Sequence, residues 1–557
     1  MSIEGIADSH RSRNCFVYCW LVQCTIAMTI VGTPANAAPG DLDPSFGSGG
    51  MVTTDFSGAF DKVEDLAIQP DGKIIAVGLA DNFPNTGDFG LARYNPDGSL
   101  DLSFGSGGIV TTDFGGFEEI GSAAIQPDGK IVAVGRVLAN STSQFALARY
   151  KPDGSLDLTF SGDGKITTAF AGYAELGDVV LQPDGKIVVA GNVFNSPTGI
   201  GGFALARYSV DGTLDSSFGS GGKVTPNDVG IGIEAGGVIL QSDGKIVVTG
   251  RANNPTTGSP DFAIVRFNPN GGLDPSFGVN GKVFTDFLGG SDEPGDIVLQ
   301  PTGKIVIAGR AADSSGTNRF ALARYNTDGT LDSVFGSGGK STIEFSGLGE
   351  VNGLVLQADG KFVAAGHAHD SASGNSDFAI IRVNSNGTLD MEFGINGKVT
   401  TDFFGGADQQ EAIVIQPNGK FVVAGNAFDT STNNMDFALV RYFGDPVVAV
   451  AHFRCYKVKE ITKLNPNPIV NLEDQFFVDE DVEVKKAKTI CAPVDKNGEG
   501  VTNTETHLVC YDIKPKTKNA KVDVLVTNQF GEQELEVKKS ELLCVPSTKV
   551  VIGQSSE

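Results

Sequence analysis

Short apolar runs alternate with tight polar turns along most of this chain, and the alternation itself repeats. The phrase LQPDGKIVVAG at residues 181–191 is one copy. Its Gln recurs as Gln69, Gln126, Gln182, Gln241, Gln300, Gln357 and Gln416, a period of roughly 56 to 59 residues. An apolar run precedes each Gln: DLAI, SAAI, DVVL, GVIL, DIVL, GLVL, EAIV. Pro-Asp-Gly-Lys or a near variant follows, then a second run such as IVVAG. Two β-rich runs around Pro-Asp-Gly predict a hairpin. Pro presets a type I turn, and Gly takes the left-handed position that closes it.

A second phrase shares the period, FGLARYNPDGSLDLSFG at 89–105 and FALARYKPDGSLDLTF at 145–160. It predicts a third strand, another Pro-Asp-Gly turn, a Gly-rich connection and a fourth strand such as IVTTDF at 109–114. No helical periodicity competes. Repeated four-stranded units describe the blades of a propeller. The array ends are complementary. MVTTDF at 51–56 is a fourth-type strand preceding any first-type strand, whereas DFALVRY at 436–442 has no fourth strand after it. Residues 51–56 are therefore expected to complete the blade made by 411–442 and close a ring of seven.

The ordered phrases LDxSFGxxG, TDF, QPDGKIVVAG and FALARYNPDGSLD resemble the delta-60 repeat of bacterial exported proteins, over residues 42–442. That resemblance implies a propeller outside the cytoplasm and no established reaction. The copies at Ala169 and at TPNDV, 225–229, depart from TDF, so regular fourth strands are less expected there.

Residues 1–37 read as a secretory signal. Arg11 and Arg13 precede the apolar stretch 15–32, and Ala35-Asn36-Ala37 has the small-x-small form of a cleavage point. An uncleaved anchor is the rival reading; no later stretch predicts a membrane span. Cleavage leaves a chain without Trp and with Cys455, Cys491, Cys510 and Cys544 alone. An even count in an exported chain reads as disulfides.

From residue 453 the repeat phrases stop. FRCYKVK at 453–459 echoes HLVCYDIK at 507–514, and KTICAPV at 488–494 echoes ELLCVPS at 541–547. The duplication predicts a small β-sandwich-like domain stapled by Cys455–Cys491 and Cys510–Cys544, with crossed pairings left open. This segment resembles an uncharacterised C-terminal domain of exported bacterial proteins. The expected organisation is a signal at 1–37, a propeller at 38–446 and a β-domain at 447–557.

Charge narrows the partners. The chain carries a formal net charge of −25, yet its last 111 residues hold 15 basic and 17 acidic side chains, so the excess lies on the propeller. An acidic surface disfavours nucleic acid and anionic membranes; a protein or glycan partner and a monomer are the expectation. Loops entering the first strands carry a carboxylate seven or eight residues before each Gln: Asp61, Glu118, Glu175, Glu234, Asp292, Glu350 and Asp408. They are expected to line the mouth of the axial channel, as a cation site or as a solvated rim. Loops joining second to third strands are bracketed by Asp81 and Asp88, Asp370 and Asp377, and Asp429 and Asp436. Calcium is the one cofactor these suggest, against ordinary polar loops. His367 and His369 would share a strand face, as a metal pair or as plain surface residues. Arg93, Arg149, Arg207, Arg266, Arg324, Arg382 and Arg441 recur once per period. Repetition in every blade marks them as structural, each paired with an SLD-type Asp and bridging blades through bidentate bonds.

GSGGKST at 336–342 is not a phosphate loop, because Val334 stands where the first Gly belongs. HExxH and GxSxG are absent. The expected role is binding or scaffolding through the variable loop face. A hydrolase or lyase using Asp and Glu at the channel mouth, and a structural spacer, are the alternatives.

Overall fold

The computed structural model describes residues 37–445, except 57–59, 82–86, 140, 171, 196–199, 226–233, 346–348 and 370–373. Beyond 445 it describes the backbone of seven strands between His452 and Thr548.

Each period folds as one antiparallel four-stranded sheet, its strands in sequence order. Blade I comprises Lys62–Ile68, Ile74–Asp81, Gly87–Tyr94 and Ile109–Thr112. Blades II to VI follow at residues 117–168, 173–224, 234–285, 289–343 and 349–401. Blade VII takes three strands from the end of the array, Asp408–Ile415, Phe421–Asp429 and Asn434–Tyr442, and its outermost from the beginning, Met51–Thr54. Met51 pairs with Val440 and Thr54 with Phe437, so the ring closes by strand exchange as expected. The fourth strand of blade II is regular at Lys165–Thr168; that of blade III is only Lys223–Val224.

The turn chemistry explains the hairpins. In blade I the Gln69 amide donates to Lys73 O at 2.8 Å and the Gly72 amide to Gln69 O at 2.8 Å. Gly72 sits at φ +83°, a conformation an L side chain resists. Apolar residues gather into one cluster at each of the seven blade junctions. The core is therefore a ring of interfaces, and each blade is stable only against its neighbours.

The recurring Arg holds those interfaces at the turn end. Arg149 Nε donates to Asp157 Oδ2 at 2.8 Å, its Nη1 donates to Val210 O in the next blade, and its guanidinium lies 4.5 Å from the Phe160 ring centroid. The same set recurs at Arg93, Arg207, Arg266 and Arg324. Arg382 reaches Asp445 Oδ2 at 2.8 Å in place of a carbonyl. The bridging role is as expected, but the Asp bond is through Nε alone; the remaining guanidinium hydrogens go to a hydroxyl and to the neighbouring blade. A buried Tyr adds a second tie, as Tyr150 Oη donates to Thr112 Oγ1 at 2.8 Å.

In the C-terminal part the backbone forms one five-stranded antiparallel sheet and one two-stranded hairpin. In the first half the Cys-Tyr strand His452–Lys457 pairs with the long strand Val478–Val494, which carries the Cys-x-Pro phrase; in the second, Thr506–Pro515 pairs with Leu542–Thr548. Register sets Cys455 opposite Cys491 and Cys510 opposite Cys544.

Candidate functional site

Loops entering the first strands and loops joining the second and third strands share one end of the ring. All first strands carry a bulge where the register shifts, between Val63 and Asp65 in blade I and between Gln410 and Ala412 in blade VII. The bulges meet at the axis and line a small cavity of about 120 Å³ that includes Glu64, Asp65, Asp178, Asp296 and Glu411. Asp65, Asp178 and Asp296 tie alternate blades together. Their Oδ2 atoms accept the amides of Ala123, Val238 and Leu354 in the next blade, at 2.9, 2.8 and 2.8 Å. Burial pushes Asp65 and Asp296 up to about 7 against these bonds. Glu64 and Glu411 face each other across blades I and VII. Burial first raises both well above the usual carboxylate range; the charges of Glu411 and Glu119 add to it at Glu64, and that of Glu350 at Glu411.

The predicted ring of seven channel carboxylates divides in two. Asp61, Glu118, Asp292 and Asp408 stand eight residues before their Gln and are wholly buried between blades. Glu175 and Glu350 stand seven before and are half-buried at the axial mouth. Side chains alternate faces along a strand, so one residue of offset sends the carboxylate to the opposite side. Glu234 also stands seven before; its side chain lies outside the described residues. The mouth instead gathers groups that the sequence reading passed over. Arg136 binds Glu119 and reaches Glu175 at 3.2 Å, and Arg310 binds Glu293 and lies 3.7 Å from Glu350. Counting parity from the Gln would have found Glu119 and Glu293.

His367 and His369 share a face, as expected. With Glu350 they line a cleft of about 250 Å³ between blades V and VI. Burial, then the Arg310 charge, holds the His367 imidazole below its ordinary value, and His369 Nδ1 lies 3.0 Å from Asn375 O. The pair belongs to none of the groups of three metal-capable side chains among the described residues.

Those groups are made by the buried carboxylates. Asp61 meets Asp55 and Asp436 at the VII/I junction, and Glu118 meets Asp88 and Asp113 at I/II. Asp292 meets Asp261 and Asp286 at IV/V, and Asp408 meets Asp377 and Asp402 at VI/VII. In each group one ligand oxygen per residue lies within 4.8 Å of the others. The first-strand member caps the incoming loop: Asp61, Asp292 and Asp408 accept the amides of Phe56, Phe287 and Phe403 at 2.7, 2.8 and 2.8 Å. Burial, followed by the neighbouring carboxylates, pushes Asp61 up to about 6 and Glu118, Asp292 and Asp408 up to about 7.

The Asp-bracketed loops therefore do not act as units. Asp88, Asp377 and Asp436 join the junction groups, but Asp81 contributes only its amide, to Asp61 Oδ1 at 3.0 Å. Asp429 closes its own turn on Ser431, whose amide and hydroxyl it accepts at 2.8 and 2.7 Å. Asp370 lies outside the described residues.

Residues 69–104, 126–160, 182–218, 241–277, 300–335 and 357–393 each match the domain of unknown function (DUF5122) beta-propeller. The chain carries six DUF5122 β-propeller repeats. The seventh blade is unmatched for a structural reason: every DUF5122 copy runs from the Gln through the SFG phrase, and blade VII has that phrase at the other end of the array. Residues 446–546 match the repeat of unknown function (DUF7450). No curated protein matches the chain in sequence. Among solved structures, a catalytically inactive virginiamycin B lyase from Staphylococcus aureus aligns at 12% identity. It covers 70% of this chain and 98% of that one, with a TM-score of 0.39. A polysaccharide lyase of family PL25, an ulvan lyase, aligns at 12% identity over 70% and 96%, with a TM-score of 0.42. A Xanthomonas campestris gluconolactonase aligns at 11% identity over 57% and 92%, with a TM-score of 0.29. None of their reactions is carried over to this chain.

Proposed function

We propose that this DUF5122 propeller is an exported binding or scaffolding protein whose partner surface is the loop face around the axial mouth. The contrast between the two ends of the ring supports this reading most. At the turn end every blade repeats the same Pro-Asp-Gly-type hairpin and Arg bridge. At the loop end each blade differs: Arg136 with Glu119 at blade II, Arg310 with Glu293 at blade V, two histidines at blade VI. Variable groups on a fixed scaffold are where recognition resides. The mixed acidic and basic mouth fits a polar protein or glycan partner.

The test is a titration of labelled full chain onto envelopes of the producing cells. Combining Glu119→Gln with Glu293→Gln is expected to weaken binding about tenfold, or ~1.4 kcal/mol. Lys130→Ala, on the turn face, leaves it unchanged. Equal binding by both variants overturns the reading. A second reading, acid–base catalysis, is favoured by the raised Glu64–Glu411 pair at the axis. It requires turnover of a carbohydrate or lactone that Glu64→Gln abolishes.

Export also predicts the oxidation state of the C-terminal cysteines. Peptide mass mapping without reductant is expected to recover Cys455 linked to Cys491 and Cys510 linked to Cys544, because the strand register aligns those pairs. A free thiol at Cys491 excludes the pairing.

A further inference from the structure

We propose that the four carboxylate groups at the blade junctions are calcium sites, each assembled from two strands of one blade and the first strand of the next. This inference is independent of any partner at the axial mouth.

Proximity of acids alone would not carry it; the orphaned oxygens do. Asp261 is wholly buried. Its Oδ2 accepts Asn254 Nδ2 at 2.6 Å and Thr257 Oγ1 at 3.0 Å, while its Oδ1 makes no hydrogen bond. Asp292 Oδ1 in the same group, Glu118 Oε2 at I/II and Asp408 Oδ1 at VI/VII are likewise buried without a hydrogen-bond partner. A buried ionised oxygen needs a counter-charge or a donor. At least one such atom stands in each of these three junctions. The VII/I junction has the same composition, and Asp436 Oδ1 is its counterpart.

The remaining described junctions act as internal controls. At V/VI the third-strand carboxylate is replaced by Arg319, and its guanidinium binds the outer-strand Glu344 at 2.7 Å. The cation is there built into the chain. At II/III, Gln144 and Ala169 replace the two acids, and the first strand offers Ala174 at the buried position. Third-strand Asp and buried first-strand carboxylate thus occur together or are replaced together, by Arg319 and Gly349 at V/VI and by Gln144 and Ala174 at II/III, while the outer-strand acid persists at V/VI as Glu344. A structural cap alone would need only the first-strand member. Three carboxylates with no nitrogen or sulfur donor make a hard, anionic oxygen site, which suits calcium over transition metals. Water and loop carbonyls are left to complete the six to eight ligands that calcium takes.

The test is calcium bound per chain after chelator treatment, by atomic emission at equilibrium dialysis against calcium in excess magnesium. The full chain is expected to retain about four. The near-isosteric Asp261→Asn should lose one, about a quarter of the total, while blades elsewhere keep theirs. Asp292→Asn is the second loss variant should Asp261→Asn not fold. Less than one calcium per wild-type chain overturns the proposal. So does an unchanged count in a folded Asp261→Asn or Asp292→Asn protein.

Discussion

Removing residues 38–56 is expected to unfold the whole propeller, not only to fray one edge. The segment supplies the outermost strand of blade VII and two buried rings, Phe46 and Phe56, the latter 4.7 Å from Phe437. Each buried ring is worth about 1.5–3 kcal/mol. Asp43 contributes more. Its Oδ2 accepts Arg441 Nε at 2.7 Å and Lys420 Nζ at 2.7 Å. Arg441 is 4% exposed, so deletion leaves a buried guanidinium without its carboxylate, a loss of about 3–5 kcal/mol. Thr54, the acceptor for Tyr94 across the junction, also goes. These losses together approach the about 5–15 kcal/mol that holds a typical domain. Circular dichroism should show the truncated chain without a cooperative melt, and a synthetic 38–56 peptide added in trans should restore one. A truncated protein melting at the wild-type temperature would refute closure by strand exchange.

The ring was legible because its signals are redundant. Seven Gln-led hairpins, seven recurring arginines and two complementary ends all specify one topology, so the departures at Ala169 and 225–229 left the blade count intact. The candidate sites were less legible because they depend on parity and on contacts between repeats. Asp61 and Glu175 look equivalent in sequence, yet one residue of offset from Gln69 and Gln182 puts the first between blades and the second at the mouth. Asp55, Asp61 and Asp436 meet only once the ring closes, since the chain separates the first from the last by nearly its whole array. Glu64 and Glu411 meet for the same reason. Composition could show that the propeller is acidic; only the bulged first strands show that part of this acidity converges on the axis. The C-terminal duplication was readable from its Cys-Tyr and Cys-x-Pro phrases, and register then aligned the cysteines. The layering was not readable from those phrases; the backbone pairs as one five-stranded sheet and a separate two-stranded hairpin.

The axial carboxylates also set an expected pH dependence, with maximal stability on the acid side of neutrality. Glu64 and Glu411 are raised by burial and then by neighbouring negative charge, with Lys62 acting the other way on both. Asp65 and Asp296 are raised to about 7, by burial first. In each case the folded state holds its proton to a higher pH than the unfolded chain, whose carboxylates titrate near ~4. Between those values the folded form binds more protons, so stability falls as pH rises from about 4 to 8. The Arg-paired carboxylates act oppositely. Asp157 is held below its usual value by Thr159 and Arg149 against burial, and Asp274 by Ser276 and Arg266. Their contribution is present above about pH 4 and is lost below it. The melting temperature in chelator should therefore peak near pH 5 and decline by several degrees toward pH 8. The −25 net charge pushes the same way through general repulsion, so a local control is needed. Glu64→Gln with Glu411→Gln removes the facing charges at the axis while altering the net charge little. That double variant should melt higher than wild type at pH 8 and show a shallower decline. Parallel curves for the two proteins would assign the slope to overall charge and remove the axis from the account.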